Sequence, residues 1–434
     1  MNLPKDFMLG AATAAHQVEG NNIHSDFWAM EQLPHSSFAE PSLDAVDHYN
    51  RYKEDVLLMK HAGLNAYRFS IEWARIQPEK DTFDAAEIKH YREMLTFCRD
   101  NGIEPIVTLH HFSSPKWLIS EGGWEAESTI GYFKDYTAYV ARELGDVLSY
   151  VCTINEANMG LQMAAIARRY MKQMGIDSGE PATSAAVKSK QDMESSVQVG
   201  MNLESMMAGM TETAAAFGLN DPQGVHTFLS QRSAEGDLLI MRAHEAARDA
   251  MKEICPHLRV GVTLSLHDIQ ALPGGEEVAA REWEEEFLHY LPYLQKDDFF
   301  GLQNYTRERM AADGIQPAPQ EAELTQMKYE FYPQALEHVI RRVAQALPCP
   351  IIVTESGIAT SDDTRRVAFI EQALAGVKRC IVDGLPVKGY MYWSLLDNFE
   401  WQKGFGMTFG LIAVDRSTQA RRVKPSLEFL GNQR

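Results

Sequence analysis

Near its C-terminal end the chain reads Ile351-Ile352-Val353-Thr354-Glu355-Ser356-Gly357, an apolar and β-branched run that leads directly into a glutamate. The same pattern occurs earlier, in Val151-Cys152-Thr153-Ile154-Asn155-Glu156. Continuous apolar runs of this length are typical of strands that are buried on both faces of a sheet. An unpaired buried charge costs on the order of several kcal/mol. A carboxylate at the end of such a strand therefore indicates a chemical role.

Apolar runs of this kind recur along the chain and are separated by segments with helical periodicity. Asp84 followed by Glu87 predicts a helix that begins in a capping box and ends near Gly102. An apolar stripe from Val367 to Ile381 predicts a second helix, which Gly384 ends. Eight runs are predicted as strands: Phe7–Ala12, Leu64–Phe69, Ile103–Leu109, Tyr150–Ile154, Arg259–Leu264, Phe299–Gln303, Pro350–Thr354 and Gly389–Trp393.

Eight strands that alternate with helices fit either a doubly wound sheet or a closed (β/α)8 barrel. Polar residues follow the C-terminal ends of many different strands, and this favours the barrel, because such barrels carry their active sites at that rim. A doubly wound sheet would place its site at one switch point. The sequence contains no Pro/Ser/Gly-rich linker and no internal repeat. We therefore predict a single TIM-barrel domain that spans residues 1–434.

Charge and motifs argue against several classes of partner. The formal net charge is −19, whereas a nucleic-acid binder needs a basic footprint and an anionic membrane surface attracts basic segments. Neither the G-x-G-x-x-G fingerprint nor a P-loop occurs. No metal-ligand spacing is found, since adjacent His110 and His111 would point to opposite faces of one strand. The sequence thus predicts no cofactor, no metal, and neither nucleic acid nor membrane as a partner.

The cysteines and the N-terminus indicate the compartment. Five scattered cysteines without a C-x-x-C spacing are typical of reduced thiols in a reducing compartment. The first residues lack the charged and apolar regions of a signal peptide. No stretch reaches the roughly 20 apolar residues of a membrane span. We expect a cytoplasmic protein, and the sequence leaves open whether it forms a homo-oligomer.

The segment of residues 159–230 is rich in methionine and has helical patterning, which predicts an enlarged helical segment after the fourth strand. In one interpretation the methionines fill the core of loosely packed helices, because the thioether side chain adapts to irregular gaps. In another, the segment rises from the rim directly after Glu156 and forms an adaptable wall for an apolar leaving group. A third interpretation, based on composition alone, is a surface for a protein partner.

Several motifs, in order along the chain, resemble those of glycoside hydrolase family 1, the β-glucosidase family. Phe7–Gly20 resembles the opening signature of the family, and Asn65–Ile76 resembles its second-strand motif. Trp393–Trp401, followed by Phe409-Gly410-Leu411, resembles its C-terminal motif. The resemblance runs from the first residues to the last. It implies a (β/α)8 barrel and the activity of a retaining β-glycosidase.

The resemblance gives both strand-end glutamates a role. Glu355 resembles the family nucleophile and Glu156 the acid/base residue, whose pKa the charge of Glu355 would raise. Arg68 matches a residue that would lower the pKa of Glu355, and Tyr305 matches a tyrosine that hydrogen-bonds the same carboxylate. Asn155 matches the residue that binds the sugar 2-hydroxyl. In retaining hydrolysis one carboxylate attacks the anomeric carbon while a carboxylic acid protonates the leaving oxygen.

Further matched positions would line the glycone site. Hydrogen-bonding groups and flat aromatic faces suit a sugar, which has polar edges and weakly apolar faces. Glu400 stands where the phospho-glycosidase branch of the family carries a serine, and its charge would repel a 6-phosphate. An unphosphorylated sugar is therefore expected. The matched positions are Gln17, His111, Trp393, Glu400 and Trp401.

Four positions beside the carboxylates differ from the family pattern. Ala157 replaces a proline and Ser356 an asparagine. Phe112 replaces a tryptophan, and Gln303 replaces the asparagine of the N-Y-Y-T motif. Both glutamates are retained, so bond cleavage is still expected. The differences bear on the choice of glycone and leaving group.

Three functions are compatible with these motifs. The first is a retaining β-glycosidase that hydrolyses an unphosphorylated β-linked glycoside, and a glucoside is the expected substrate. The second is a transglycosylase, which passes the same covalent glycosyl-enzyme intermediate to an acceptor other than water. The third is a non-catalytic sugar-binding barrel, since fold does not determine function. The presence of both glutamates favours the enzymes.

Overall fold

The computed structural model describes residues 3–173 and 203–434, in which strands and helices alternate. The strands are β1 Met8–Ala12, β2 Ala66–Ser70, β3 Glu104–His110, β4 Tyr150–Ile154, β5 Arg259–Gly261, β6 Thr263–Ser265, β7 Asp268–Ala271, β8 Phe300–Gln303, β9 Arg307–Ala311, β10 Gly314–Gln316, β11 Ile351–Ser356, β12 Val387–Trp393, β13 Ile412–Asp415 and β14 Ala420–Val423. The helices are α1 Ala15–Val18, α2 Asp26–Glu31, α3 His48–Ala62, α4 Trp73–Ile76, α5 Ala85–Asp100, α6 Lys116–Ser120, α7 Ser128–Leu144, α8 Met159–Gln173, α9 Leu203–Ala216, α10 Ala234–Ile254, α11 Glu276–Glu286, α12 Leu291–Leu294, α13 Ala335–Ala346, α14 Asp363–Val382 and α15 Pro425–Gly431.

Nine parallel strands form a barrel in the order β5-β4-β3-β2-β1-β12-β11-β8-β6. β5 pairs with β4 and β6 pairs with β8, and Val262 alone separates β5 from β6. The two are therefore halves of one interrupted fifth strand, and Val262 closes the ring by accepting a hydrogen bond from the Gly301 amide at 3.0 Å. The predicted (β/α)8 barrel is confirmed. The doubly wound alternative is wrong, because such a sheet stays open.

The predicted strands agree with the observed ones to within two residues at each end. All residues of β1, β2 and β11 are buried, which is the pattern of strands enclosed by helices outside and by side chains inside the barrel. The interruption at Val262 was not predicted. A valine within an apolar run gives no sign that the pairing partner changes there.

Helices α5 and α14 test the predicted signals for where a helix begins and ends. Asp84 caps α5 by accepting hydrogen bonds from two amides of its first turn, at 2.7 and 3.3 Å. The reciprocal half of the predicted capping box is wrong, because the Glu87 carboxylate instead accepts a hydrogen bond from the Tyr49 hydroxyl at 3.0 Å. α14 ends at Val382, and Gly384 follows with a positive φ of 82°, as its position predicted.

The predicted helical segment after the fourth strand contains α8 and α9, and α9 contacts α2. Met207 and Met210 on α9 are 61% and 47% exposed. For these two residues the core-filling interpretation is wrong. Met174 and Met201 lie outside the described residues.

A three-stranded sheet in the order β10-β9-β7 extends the C-terminal rim of the barrel, because β7 follows β6 and β9 follows β8. β13 and β14 form a separate antiparallel pair. Across residues 3–173 and 203–434, we find no helix that combines the length and the apolar character needed to cross a bilayer.

Gly261 lies where the barrel closes, and there is no room for a methyl group at this position. A Cβ there would stand 2.1 Å from the Phe299 carbonyl oxygen. Since backbone would have to move, we expect Gly261→Ala to lower the free energy of unfolding by about 1–3 kcal/mol. Urea denaturation followed by circular dichroism measures this change.

Gly131→Ala is the matched control. Gly131 lies within α7, and no heavy atom lies within 4 Å of an added Cβ. This variant should be more stable than the wild type by up to about 1 kcal/mol, because alanine favours a helix. A Gly261→Ala variant as stable as the wild type would contradict the tight closure at this strand.

Candidate active site

The C-terminal ends of the barrel strands bring the predicted polar residues to one place. Arg68 lies on β2, Asn155 and Glu156 follow β4, Tyr305 follows β8, and Glu355 lies near the end of β11. Parallel strands end on the same rim, so residues far apart in sequence converge there. Hydrogen bonds, ring contacts and charge interactions among these residues and the predicted sugar-binding positions bring all ten predicted site residues to one cluster.

Glu355 is buried and accepts hydrogen bonds on both carboxylate oxygens. Its Oε1 accepts from the Arg68 guanidinium and, at 3.0 Å, from Nε2 of Gln303. Its Oε2 accepts from the Tyr305 hydroxyl. Charge-assisted donors of this kind stabilise the ionised form of a carboxylate. Glu355 is thus built to carry a negative charge.

Asn155 links this carboxylate to the neighbouring histidine. Its Oδ1 accepts hydrogen bonds from Arg68 at 2.5 Å and from Gln303 at 2.7 Å. Its Nδ2 therefore donates to Nε2 of His111 at 3.1 Å, which leaves the ring proton on Nδ1. Burial, together with the charge of Arg68, lowers the pKa of His111 well below its ordinary value. His111 is accordingly neutral.

Glu156 has different surroundings. Its backbone has a positive φ of 45°, and its amide donates to Oγ1 of Thr263 at 2.9 Å. This anchors the turn that carries the side chain, which is 6% exposed. Among the residues whose side chains the structure describes, 3–167 and 207–434, no hydrogen-bond donor contacts the Glu156 carboxylate. The environment thus disfavours its charged form.

The two carboxyl groups titrate as a pair. Burial, followed by the charge of Glu355, raises the pKa of Glu156 well above its ordinary value. Burial also raises the pKa of Glu355, although Arg68 and the hydrogen bond from Tyr305 act in the opposite direction. Arg68 thus lowers the pKa of Glu355 as the resemblance implied, and desolvation opposes it. Among the described side chains, three donate to the Glu355 carboxylate and none to that of Glu156, so the shared proton resides on Glu156.

Gln17 and Glu400 form a polar edge of the cluster. Nε2 of Gln17 donates to the Phe399 carbonyl at 2.8 Å and to the Glu400 carboxylate at 3.4 Å. Oε1 of Gln17 is buried and has no hydrogen-bond partner among the described residues. Burial, followed by the charge of Glu355, raises the pKa of Glu400 to about 8. At neutral pH this side chain is therefore mostly a carboxylic acid.

Aromatic rings form the adjacent face. The ring of His111 lies 5.7 Å from that of Trp393 and 5.9 Å from that of Trp401, with interplanar angles of 23° and 25°. Trp401 also stacks on His16 at 6.1 Å, with an interplanar angle of 10°. Flat apolar faces thus lie next to hydrogen-bonding edges, as the sequence predicted.

Two residues that contact the catalytic candidates were not among the predicted site residues. Nε2 of Gln303 donates to Glu355, to Asn155 and, at 3.1 Å, to Thr263. The sequence identified Gln303 only as a departure from the family motif, although a polar residue at the end of a strand was the signal that found Glu355. Thr263 gave no signal, because threonine is ordinary in a strand.

Comparison with known proteins agrees with this geometry. The profile of glycosyl hydrolase family 1 matches residues 1–209 and 275–432. The chain belongs to this family. It is a glycoside hydrolase, as the motifs predicted, and residues 210–274, which contain β5, β6 and β7, are outside the match.

Curated members of family 1 align over almost the whole chain. A β-glucosidase from an Agrobacterium species is 30% identical and covers 98% of this chain and 93% of its own length. Beta-glucosidase A from Acetivibrio thermocellus is 27% identical, with coverages of 98% and 96%.

Solved structures confirm the barrel. The β-glycosidase BGL167 has a TM-score of 0.86 and 43% identity over 99% of this chain and 96% of its own. The apo form of β-glucosidase 1317 has a TM-score of 0.85 and 38% identity, with coverages of 98% and 97%. The β-glucosidase of Thermotoga maritima with glucoimidazole has a TM-score of 0.79 at 24% identity over 99% and 98% of the chains, and shares the fold.

The raised pKa of Glu400 makes stability depend on pH. Its folded-state pKa of about 8 lies above its ordinary value of 4.5, so between these values the folded state retains a proton that the unfolded state has lost. The wild type should therefore lose stability relative to Glu400→Gln as pH rises from 5 to 8, by on the order of a few kcal/mol. Urea unfolding at pH 5, 6.5 and 8 measures the difference.

Glu121→Gln serves as the control. Glu121 is exposed, and its pKa is lowered by the hydrogen bond from Lys80. It is ionised in both states above pH 5, so its variant should differ from the wild type by a constant amount over this range. A constant difference for Glu400→Gln as well would mean that Glu400 is already ionised at pH 5.

Proposed function

We propose that the protein is a retaining β-glucosidase that hydrolyses an unphosphorylated β-linked glucoside, with Glu355 as nucleophile and Glu156 as acid/base catalyst. The observation that carries this proposal is the asymmetry between the two buried carboxyl groups. Glu355 accepts hydrogen bonds from Arg68, Gln303 and Tyr305, whereas burial and the charge of Glu355 keep the proton on Glu156. Retaining hydrolysis starts from this protonation state.

In the first step a Glu355 oxygen forms a bond to the anomeric carbon. The bond from that carbon to the glycosidic oxygen breaks, and the Glu156 proton moves to the departing oxygen. Esterification removes the charge of Glu355, which lowers the pKa of Glu156. In the second step Glu156 takes a proton from water, the water oxygen attacks the anomeric carbon, and Glu355 is released with the configuration retained.

The glucose ring lies between the polar edge and the aromatic face of the cluster. Oε1 of Gln17 and Nδ1 of His111 are buried and without partners among the described residues, and sugar hydroxyls would supply the missing donor and acceptor. Asn155 is fixed by Arg68 and Gln303, so its amide is held for the 2-hydroxyl group. Trp393 and Trp401, with apolar faces, cover the ring.

Glu400 supports an unphosphorylated substrate, with a correction to the sequence argument. Its pKa of about 8 makes it a hydrogen-bond donor to a sugar hydroxyl at neutral pH, and its repulsion of a phosphate develops only as it ionises. A phosphate dianion would still lose its hydration beside a buried carboxyl group. The curated β-glucosidases that align over the whole chain support glucose as the glycone.

The rest of the proposal concerns the domain organisation, the compartment and the acceptor of the glycosyl group. It acts as one domain of residues 1–434 on a small-molecule glycoside in the cytoplasm. Five unpaired cysteines support a reducing compartment. Transfer of the glycosyl group to a second sugar uses the same intermediate, and the ratio of products distinguishes it from hydrolysis.

Azide distinguishes the roles of the two glutamates. Glu355→Ala should lower kcat by about a thousandfold or more, and added azide should restore turnover as an α-glucosyl azide, because the small anion attacks where the nucleophile is missing. Glu156→Ala with an activated aryl glucoside should instead give the β-azide, because azide then replaces water at the intermediate. NMR of the products identifies both anomers.

Glu72→Gln is the control for loss of a buried carboxylate, since Glu72 is 3% exposed and accepts a hydrogen bond from Ser113 outside the cluster. This variant should not respond to azide. Wild-type rates in both alanine variants would refute the assignment, and the opposite pair of anomers would exchange the two roles.

A panel of aryl β-glycosides tests the substrate. The wild type should prefer the glucoside over the galactoside, fucoside and xyloside, and kcat/KM for the 6-phosphoglucoside should be lower by at least about a hundredfold at pH 7. Discrimination against the phosphate should increase as pH rises through 8, where Glu400 ionises. Equal release of glucose and aryl alcohol identifies hydrolysis, and a deficit of glucose identifies transfer.

A further inference from the structure

One buried amide group lies between the two halves of the candidate active site. Gln303 is the last residue of β8, the strand that lies between β11 and β6 in the barrel. In the strand register it is aligned with Glu355 on one side and with Ser265 on the other. The residue is fully buried. Its side chain is therefore available to the interior of the site and not to solvent.

The amide nitrogen of Gln303 is shared among three acceptors. Nε2 lies 3.0 Å from Oε1 of Glu355, 2.7 Å from Oδ1 of Asn155 and 3.1 Å from Oγ1 of Thr263. Thr263 in turn accepts a hydrogen bond from the Glu156 amide at 2.9 Å. A single NH2 group thus contacts the proposed nucleophile, the residue proposed to bind the 2-hydroxyl group, and the anchor of the acid/base turn.

The orientation of this amide leaves its oxygen unsatisfied. Oε1 of Gln303 is buried and has no hydrogen-bond partner among the residues that the structure describes. Turning the amide over would direct Oε1 at the Glu355 carboxylate and at Oδ1 of Asn155, which are acceptors themselves. An unsatisfied buried acceptor lowers stability and calls for an explanation. The orientation is explained if the donor side of the amide is needed by the site.

Gln303 and Arg68 form a closed ring of hydrogen bonds with the same two oxygens. Arg68, on β2, donates through Nη1 to Oε1 of Glu355 and through Nη2 to Oδ1 of Asn155 at 2.5 Å. Gln303, on β8, joins these two oxygens from another side. Two acceptors that share one bridging donor can still turn about it, whereas a second bridge from a different strand fixes their separation. Such supporting hydrogen bonds hold reacting groups in place.

The ring also determines where the Asn155 amide points. Nδ2 of Asn155 donates to Nε2 of His111 at 3.1 Å. An amide nitrogen carries two protons, so the second one is left for a sugar hydroxyl. Because Oδ1 of the same amide is held in the ring, the direction of this second proton is fixed relative to the Glu355 carboxylate.

We propose that Gln303 is a positioning residue, which closes this ring and fixes the spacing between the Glu355 carboxylate and the Asn155 amide. Attack at the anomeric carbon and the hydrogen bond to the 2-hydroxyl group are then made in one geometry. The inference rests on the proposed functions of Glu355 and Asn155. The 2-hydroxyl contact strengthens in the transition state, so Gln303 acts on kcat more than on KM.

The test compares Gln303→Leu with Gln303→Asn, two variants of similar size of which only the second keeps an amide. In Gln303→Leu, kcat for an aryl β-glucoside should fall by about tenfold, with KM changed by less than about twofold. The ratio of kcat/KM for this substrate to that for the aryl 2-deoxyglucoside should fall by about fivefold, because the 2-deoxy substrate cannot use the contact. Gln303→Asn should recover part of both losses. A purely structural role would lower both substrates equally.

Gln77→Leu is the matched control, since Gln77 is 4% exposed and accepts a hydrogen bond from Nε1 of Trp73 at 2.8 Å outside the cluster. This variant should lose stability in urea and keep the wild-type ratio. If Gln303→Leu does not fold, Gln303→Met replaces it, because methionine has the length of glutamine and no amide. An unchanged ratio in the apolar variant overturns the proposal. An equal fall in Gln77→Leu or a lack of recovery in Gln303→Asn does so too.

Crystal structures of the wild type and of Gln303→Leu separate this inference from the proposed function. The Asn155 amide should have one orientation in the wild type, and in the variant it should move relative to the Glu355 carboxylate while the barrel strands stay in place. A wild type inactive on all aryl glycosides would refute the proposed function, and the two structures would still decide whether Gln303 fixes the spacing. An active wild type with an unmoved Asn155 amide in the variant refutes the inference alone.

Discussion

One buried cation sets the geometry of this site. The Arg68 side chain has no exposure to solvent, so its charge must be balanced inside the barrel. It binds Glu355 on β11, Asn155 at the end of β4 and, at 3.0 Å, Thr108 on β3. A guanidinium has a planar fork of donors that can satisfy several acceptors at once, and a lysine does not. Arg68 on β2 therefore ties the ends of β3, β4 and β11 together and places the proposed nucleophile at the same time.

The same burial determines where the protons reside. Desolvation raises the pKa of Glu156, Glu355 and Glu400. What distinguishes the three pKa values is the set of charged and hydrogen-bonding partners around each carboxyl group. Arg68, Gln303 and Tyr305 all serve Glu355, so the other two groups keep their protons at neutral pH. The cluster then holds one ionised carboxylate next to one guanidinium. This is also the state from which a retaining glycosidase begins its reaction.

The sequence predicted the features that depend on local pattern. Continuous apolar runs located the strands, and glutamates at the ends of two of them located Glu156 and Glu355. The change of pairing partner at Val262 could not be predicted, because it depends on the curvature of the closed barrel. The hydrogen bonds that Gln303 donates could not be predicted either, because their acceptors lie on or directly after three other strands, β4, β6 and β11. The motif named Arg68 as the group that lowers the pKa of Glu355, but it could not give the desolvation that opposes this effect, because burial depends on the whole fold.

The residue ranges of the family match explain which part of the candidate site could be predicted from the sequence. The proposed glycone contacts, from Gln17 to Trp401, all lie within the matched residues 1–209 and 275–432. Thr263, which anchors the Glu156 turn, lies in the unmatched interval. The proposed nucleophile and sugar-binding face thus come from matched segments, whereas the turn that carries the proposed acid is anchored by a residue of β6, in the unmatched interval.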